Sequence, residues 1–143
     1  MSHFKREAVL NLLFLVIPLI SIIVYAGYQM FFDPIPKVRL TETKLSAIKM
    51  AMDTLARDIG RLITTEEGLR LLYENRGGLR DWKGPYIASS DLLKDGWGRP
   101  FIYQNTHGVT YVGSPGENGR FDSTLEDVKT RRKKGDDIFL VIR

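Results

Sequence analysis

The stretch "LSAIKMAMDTLARDIGRL", residues 45–62, has a periodic pattern that decides how the rest of the chain folds. Its apolar side chains recur at spacings of three and four residues, which predicts an amphipathic helix with one apolar face along about five turns. We expect Thr41 or Thr43 to cap its start and Gly60 to lie near its end. This face packs on a sheet in one interpretation and on another copy of the chain in the alternative. Its residues are Leu45, Ile48, Met52, Leu55, Ile59 and Leu62.

An apolar run without any charged residue, residues 8–32, lies nearer the N-terminus. About 20 apolar residues cross a bilayer as a helix, so the run predicts a single transmembrane helix. Lys5 and Arg6 precede it, which places residues 1–7 in the cytoplasm. A cleaved signal peptide is the alternative, because Val24 and Ala26 have the spacing that signal peptidase accepts, but the apolar part is longer than such peptides usually carry.

A linker with two prolines, residues 33–40, separates this run from the remainder of the chain. Pro34 and Pro36 break or bend any continuing helix. The remainder, residues 41–143, has an ordinary size for one domain. The sequence therefore predicts one anchor followed by one domain.

The residue types that catalysis uses most are scarce in this chain. It has no cysteine, which excludes disulfides, thiolate metal sites and cysteine nucleophiles. Its two histidines, His3 and His107, lie far apart, and no phosphate-loop, zinc-protease or serine-hydrolase motif is present. We therefore expect a structural or binding protein and not an enzyme.

Downstream of the amphipathic helix, the pattern predicts one short helix and three strands. Thr64 and Glu67 form a capping-box pattern that opens a helix over "EEGLRLLYEN". Strands are expected at residues 101–104, 109–113 and 138–142, and the first two flank a hairpin turn, "NTHG". An α+β fold follows, in which the amphipathic helix and the short second helix pack on a small antiparallel sheet.

Both tryptophans lie in a loop-like stretch, "WKGPYIASSDLLKDGWGRPFIYQ", residues 82–104. The glycines and prolines beside them argue against the interior of a helix or strand. Large aromatic side chains each bury about 150–250 Å², so we predict that they attach this irregular segment to a small core. The expected anchors are Trp82, Pro85, Tyr86, Trp97, Pro100 and Tyr103.

Four segments in order, "AMDTLARDIGRLITTEEGL", "WKGPYI", "DGWGRPFIY" and "SPGENG", resemble the periplasmic domain of the type II secretion major pseudopilins. The resemblance spans residues 47–119 and implies a pilin-like fold, in which a long N-terminal helix packs on a small antiparallel sheet. It also implies a single-pass protein of the bacterial inner membrane with its C-terminal domain in the periplasm. The implied partners are other pseudopilins, secretion-system membrane components, further copies of the chain and membrane lipid.

The pseudopilin family has a calcium site in its C-terminal loop, and the resemblance places Asn118, Asp136 and Asp137 at its ligand positions, with Asp122 of the intervening insert as a further candidate ligand. Asn118 stands where the family has an aspartate, and a longer insert, "RFDSTLEDVKTRRKKG", separates it from Asp136. Calcium takes six to eight oxygen ligands, and the basic residues of the insert oppose cation binding. Calcium is the only cofactor that the resemblance implies.

The insert contains a cluster of basic side chains, which we call the basic loop. A solvated surface loop is the simplest interpretation, and contact with anionic lipid headgroups or an acidic partner is the functional one. Binding of nucleic acid is disfavoured, because no aromatic side chain for base stacking is interleaved. The basic loop consists of Lys129, Arg131, Arg132, Lys133 and Lys134.

The N-terminus departs from the family pattern, in which a prepilin peptidase removes a short basic leader after a glycine. Here the first glycine is Gly27, inside the apolar run. We expect a structural, membrane-anchored pseudopilin-like component of a type II secretion or related pilus-like system, which supports protein transport across the outer membrane. A permanently anchored accessory module that does not polymerise is the alternative.

Overall fold

The computed structural model describes residues 16–25 and 36–142 of the chain. The chain divides into two compact units, Met1–Ile35 and Pro36–Arg143. Within the first unit, residues 16–25 form an α-helix, α1, whose side chains are all exposed. The second unit holds the β-sheet and the hydrophobic core.

The predicted membrane helix, residues 8–32, is described only where it coincides with α1. None of the helices in the described residues combines the length and the apolar character that crossing a bilayer requires. Residues 1–7, predicted to be cytoplasmic, and residues 33–35 of the predicted linker lie outside the described residues.

The long amphipathic helix, α2, spans Lys37–Ile59 and begins about one turn earlier than predicted. Pro36 precedes it. Proline is well suited to the start of a helix, because the backbone N–H that it lacks would have no partner within the helix. Thr41 and Thr43, predicted as caps, lie inside the helix, where their hydroxyls donate to carbonyls one turn earlier. The end of the predicted linker is therefore helical. Gly60, at φ 73°, terminates the helix as predicted.

The predicted second helix is reduced to a turn and a short 3₁₀ helix, Leu69–Leu72. The capping box does form, since the Glu67 N–H donates to Thr64 Oγ1 at 3.3 Å and the Thr64 N–H donates to Glu67 Oε2 at 2.8 Å. Gly68, at φ 64°, then leaves the helical region, so the box closes a turn instead of opening an α-helix. A further 3₁₀ helix spans Ser90–Leu93.

Three antiparallel strands form the sheet, as predicted, in the order β1-β2-β3. They are β1, Ile102–Thr106, β2, Val109–Ser114, and β3, Ile138–Ile142. β1 continues past its predicted end, because Asn105 and Thr106 pair with β2 across the hairpin. The turn residues His107 and Gly108 have φ of 49° and 73°, the primed geometry that matches the twist of the two strands.

One face of the sheet packs against α2 and holds the larger hydrophobic core. On the sheet, Val112, Ile138 and Ile142 contribute to this core. The apolar stripe of α2 therefore faces the sheet. Ile59 is partly buried, and Leu62 packs against the same core although it lies beyond the end of the helix. The buried residues of α2 are Thr41, Leu45, Ile48, Ala51, Met52 and Leu55.

The opposite face of the sheet carries a smaller core, formed by Tyr111, Val128 and Phe139. The ring of Phe121 stacks on that of Tyr111, with centroids 5.8 Å apart. Gly113 leaves the space for this ring, since a Cβ there would come within 2.7 Å of it. Phe121, which comes from the insert, is therefore part of the fold.

Val128 belongs to a short helix of the insert, α3, Leu125–Lys129, where no helix was predicted. Thr124 caps this helix, and its hydroxyl and backbone form a complete capping box with Asp127. A threonine followed three residues later by an acidic residue is the usual sequence signal of such a box. The signal is present in the insert, and α3 covers the outer face of the sheet.

Candidate functional site

Trp82 and Tyr86 attach the loop after the first 3₁₀ helix to the main core. The Trp82 Nε1–H donates to the Leu71 carbonyl at 2.8 Å, and the two rings meet edge to face with centroids 5.6 Å apart. The peptide bond between Gly84 and Pro85 is cis, and a Cβ at Gly84 would collide with the Trp82 ring. The loop "WKGPY" is therefore a closely packed part of the domain.

The Tyr86 hydroxyl joins this loop to the end of α2. It donates to Asp58 Oδ2 at 2.9 Å and accepts from the Lys83 N–H at 2.9 Å, while Lys83 Nζ lies 3.1 Å from Asp58 Oδ1. Hydrogen bonds from Tyr86 and Lys83 lower the pKa of Asp58. Burial raises the pKa of Tyr86. Two of the sequence motifs, "ARDIGR" and "WKGPYI", are thus connected through one carboxylate.

Tyr103 connects β1 to the turn that follows α2. Its hydroxyl donates to the Ile63 carbonyl at 2.6 Å, and burial raises its pKa to about 12. Asn105 Nδ2 donates to the same carbonyl at 2.9 Å. In this turn Arg61 donates twice to the Glu67 carboxylate, at 2.6 and 2.8 Å, and this ion pair lowers the pKa of Glu67 to about 2.

A buried carboxylate, Asp95, organises the turn that contains the second tryptophan. Its Oδ1 accepts from the N–H groups of Trp97 and Arg99, both at 2.9 Å, and its Oδ2 accepts from the Ser114 hydroxyl at 2.6 Å. Trp97 packs against the main core, and Pro100 forms an isolated backbone bridge across the turn. The turn and β2 together satisfy the buried charge, as burial of a carboxylate requires.

The same turn contacts the first turns of α2. The Gly96 N–H donates to Thr41 Oγ1 at 2.9 Å. A Cβ at Gly96 would collide with the Lys37 carbonyl, so only glycine allows the two backbones to approach this closely. Thr41 therefore holds a distant loop against the helix.

Arg99 connects this turn to the C-terminal loop, a role that the sequence analysis missed. Its Nη2 donates to the Gly116 carbonyl and, at 3.3 Å, to the Glu117 carbonyl. Its Nε lies 3.7 Å from Asp95 Oδ2, and its Cζ lies 5.6 Å from the centre of the Trp97 ring. A guanidinium carries five N–H donors in a planar fork, so one side chain can hold both loops.

The four predicted calcium ligands lie around the C-terminal loop and bond mainly to its backbone. The Asn118 N–H donates to Asp136 Oδ2 at 2.7 Å, and Asn118 Nδ2 donates to Asp122 Oδ2 at 3.0 Å. Asp137 Oδ2 accepts from the N–H groups of Asp122 and Ser123, at 2.9 and 2.7 Å. The bond from Asn118 is the largest cause of a lowered pKa at Asp136.

In this arrangement, these residues do not fit a calcium site. Among the described residues, no group of three or more histidine, cysteine or acidic side chains is placed to hold a metal ion. Asp136 Oδ1 and Asp137 Oδ1 are buried without a hydrogen-bond partner, but calcium takes six to eight oxygens. The Arg99 guanidinium already bonds the Gly116 and Glu117 carbonyls and brings a positive charge to the loop. The calcium site that the resemblance implies stays a prediction, and this arrangement argues against it.

The basic loop begins at the last residue of α3, and most of its side chains form no ion pair within the described residues. Lys134 Nζ lies 2.9 Å from Asp127 Oδ2, and hydrogen bonds from Thr124 and Lys134 lower the pKa of Asp127. The other four basic side chains are exposed and form no ion pair within the described part of the chain. These four are Lys129, Arg131, Arg132 and Lys133.

One long helix across a three-stranded antiparallel sheet, with loops attached by aromatic side chains, is a pilin-like fold. Among solved structures, it is similar to the major pseudopilin from the type 2 secretion system of enterohaemorrhagic Escherichia coli. The two chains are 25% identical over 72% of this chain and 84% of that chain, with a TM-score of 0.53.

The sequence model of the family described as type II secretion system (T2SS), protein G, matches residues 35–131. The chain therefore belongs to the type II secretion system protein G family, which agrees with the resemblance in its motifs. No curated protein matches the chain. The matched range contains α2, β1, β2 and α3 and ends inside the basic loop.

Proposed function

We propose that the chain is a membrane-anchored structural component of a type II secretion system that supports protein transport across the outer membrane and has no catalytic activity. The family match over residues 35–131 carries this proposal. The likeness to a major pseudopilin supports it. The second unit lies on the periplasmic side of the inner membrane in this proposal.

The anchor in this proposal is the uncharged run at residues 8–32. In its described part, α1 exposes large apolar side chains, of which Ile22 and Ile23 are 65% and 62% exposed. Such a surface is stable when lipid or a partner helix covers it. Lys5 and Arg6 favour a cytoplasmic N-terminus.

The partners in this proposal are further copies of the chain or other pseudopilins. The outward side of α2 offers a surface for them, since Met50 is 71% exposed and borders an open groove of about 530 Å³ with Asp53, Arg57 and Leu62. The apolar stripe of α2 is buried in the chain's own core. A lateral contact therefore uses the side of α2 that faces away from the sheet.

Membrane topology is testable with single cysteines, because the chain contains none. Ser2→Cys and Glu117→Cys are placed in the full chain in a bacterium with a type II secretion system. In intact cells whose outer membrane alone is permeabilised, we expect a membrane-impermeant maleimide to label Glu117→Cys but not Ser2→Cys. Recovery of the chain from the soluble fraction, or the opposite labelling, would contradict the anchored arrangement.

Assembly is tested by crosslinking in the same cells. We expect Met50→Cys to give crosslinks to copies of the chain or to other pseudopilins. Glu126→Cys, exposed on α3 at the opposite face of the sheet, is the matched control and should give fewer. Crosslinks to one membrane component without any between copies would favour the non-polymerising accessory module. Equal crosslinking of Met50→Cys and Glu126→Cys would contradict an assembly through α2.

A further inference from the structure

β3 is an edge strand, and two of its five residues direct their backbone groups away from the sheet. Thr106 and Val109 close a two-residue hairpin and are therefore a hydrogen-bonded pair. Bonded pairs alternate along the ladder, so Val112 of β2 directs its N–H and C=O towards β3. The N–H and C=O groups of Phe139 and Val141 consequently point outward. Within the described residues, they have no backbone partner.

An open groove of about 360 Å³ runs along this edge. Phe139, Leu140 and Val141 of β3 line it together with Arg131 and Lys133 of the basic loop. Leu140 and Val141 are only half-buried. The groove thus combines unpaired backbone groups, apolar side chains and positive charge within the length of a single strand.

Most of the basic side chains of the basic loop are available to bind an acidic ligand. Only Lys134 is held by an acidic side chain, and the other four basic residues are exposed without an ion pair in the described residues. Free cations concentrated beside an edge strand repel another basic segment and attract an acidic one. Backbone hydrogen bonds supply affinity when an extended peptide adds to a sheet edge, and side chains beside the edge supply specificity.

We propose that the β3 edge and the basic loop bind an extended acidic segment of a partner protein as a fourth strand. Its backbone pairs with the outward N–H and C=O groups of Phe139 and Val141. Its acidic side chains on one face of the new strand pair with Arg131 and Lys133, which line the groove. This surface is distinct from the outward side of α2, so the proposal goes beyond assembly of the chain with its own copies.

The same features have a protective explanation that the experiment must separate from binding. Charged side chains beside an edge strand also prevent two edges from pairing, which suppresses aggregation. Protection predicts no affinity for an acidic peptide, and it predicts that removal of the charges causes self-association. Binding predicts measurable affinity for the acidic peptide that falls when the charges are removed.

The probe is a fluorescent peptide of alternating glutamate and valine, titrated with the full chain in detergent micelles. Its control is the same peptide with lysine in place of glutamate. We expect the acidic peptide to bind at least about tenfold more tightly than the basic one. Equal binding of the two, or no binding of the acidic peptide, overturns the proposal.

Two matched pairs of variants separate the backbone from the charges. Val141→Pro removes one outward N–H without touching a bond to β2, a change that edge strands tolerate, and Val141→Ala keeps that N–H. We expect Val141→Pro to weaken binding of the acidic peptide about tenfold relative to Val141→Ala. Equal binding of these two would show attraction by charge alone and would overturn strand addition.

The charge variant is Arg131→Gln, Arg132→Gln and Lys133→Gln together. Its control removes three exposed cations elsewhere, Lys37→Gln, Arg39→Gln and Arg80→Gln. We expect the first triple variant to lose at least about tenfold in affinity and the control to lose less than about twofold. Self-association of the first triple variant, with no peptide binding by the native chain, would assign the basic loop to edge protection. Binding of anionic vesicles without binding of the peptide would assign it to lipid headgroups, and both results overturn the proposal.

Discussion

The two faces of the sheet are covered in different ways. On one face, the long helix α2 lays a continuous row of large apolar side chains against the strands, and Ile48 and Leu55 are 0% and 1% exposed there. On the other face, the cover is the five-residue helix α3 and the ring of Phe121. Polar groups hold this second cover, since Thr124 and Asp127 form the capping box of α3 and Asp137 binds the backbone just before it.

This difference indicates which interactions each face depends on. Apolar burial scales with the area removed from water and is insensitive to the charge state of the protein. Carboxylate caps and ion pairs depend on pH and on salt. The α2 face should therefore set the overall stability of the domain, and the α3 face should determine how the C-terminal loop responds to solution conditions.

The largest expected effect comes from a cavity in the α2 face. Ile48→Ala in the full chain should lower the free energy of unfolding by about 2–5 kcal/mol, because a fully buried aliphatic side chain is replaced by methyl. Denaturant unfolding followed by circular dichroism measures it. Met50→Ala, on the exposed side of the same helix, is the control and should stay within about 0.5 kcal/mol. Equal losses at both positions would contradict the packing of α2.

A cavity in the α3 face should cost less. Val128→Ala removes a smaller side chain from a smaller core, so we expect a loss of about 2 kcal/mol in the same assay. Hydrogen exchange of residues 121–137 should increase more than that of α2. A loss as large as that of Ile48→Ala, with exchange increasing equally throughout, would show that the two faces are one cooperative core.

The contact between the two loops should contribute less again. Arg99→Gln removes the hydrogen bonds to the Gly116 and Glu117 carbonyls. We expect this variant to lower the free energy of unfolding by about 1–2 kcal/mol. Arg99→Lys keeps the charge but loses the planar fork, so its effect should be intermediate or similar. The measurement is the Tm of the full chain and of both variants.

The effect of calcium on Tm tests whether the C-terminal loop is held by Arg99 or by a metal ion. With Arg99 on the loop carbonyls, the native chain should keep the same Tm in millimolar calcium and in a chelator. A rise of several degrees with calcium would show a functional calcium site and would contradict the role assigned to Arg99. Asp136→Asn and Asp137→Asn would then locate it, because loss of a ligand abolishes the calcium response.

The smallest expected contribution to stability comes from the Arg61–Glu67 pair, a charged contact at the end of α2. Hydrogen bonds from Arg61 and, to a smaller extent, from Thr64 lower the pKa of Glu67 from 4.5 to about 2. The stabilisation is fully present above pH 4.5 and is lost as the pH falls towards 2, because the unfolded chain takes up the proton first. Glu67→Gln should flatten the pH dependence of Tm in this window. A curve identical to that of the native chain would show that the pair contributes nothing measurable.

Several elements could be predicted because their signals are local. The apolar spacing from Leu45 to Leu55 identifies α2, and Gly60 identifies its end. The turn residues before Val109 identify the hairpin. The helix at α3 was missed although its signal, Thr124 with Asp127, is equally local. The basic residues between Lys129 and Lys134 instead indicated a solvated loop for this segment.

Other features could not be read from neighbouring residues. The early start of α2 depends on Gly96, which approaches the Lys37 carbonyl closely and bonds Thr41. Arg99 binds carbonyls of residues far along the chain, and Asp58 binds the Tyr86 hydroxyl of another motif. Each of these contacts needs two backbone segments to be brought together before its geometry exists.

The sequence by itself determined the family, the α+β class, the apolar face of the long helix and the three strands, because periodicity and motif order act over short separations. Only the tertiary structure decided which charged side chains have an ion-pair or hydrogen-bond partner. It gives Asp95, Asp127 and Lys134 partners, and within the described residues it leaves Arg131 and Lys133 without an ion pair beside the edge of β3. A charge is satisfied by whatever lies within hydrogen-bond distance in space, and sequence separation does not set that distance.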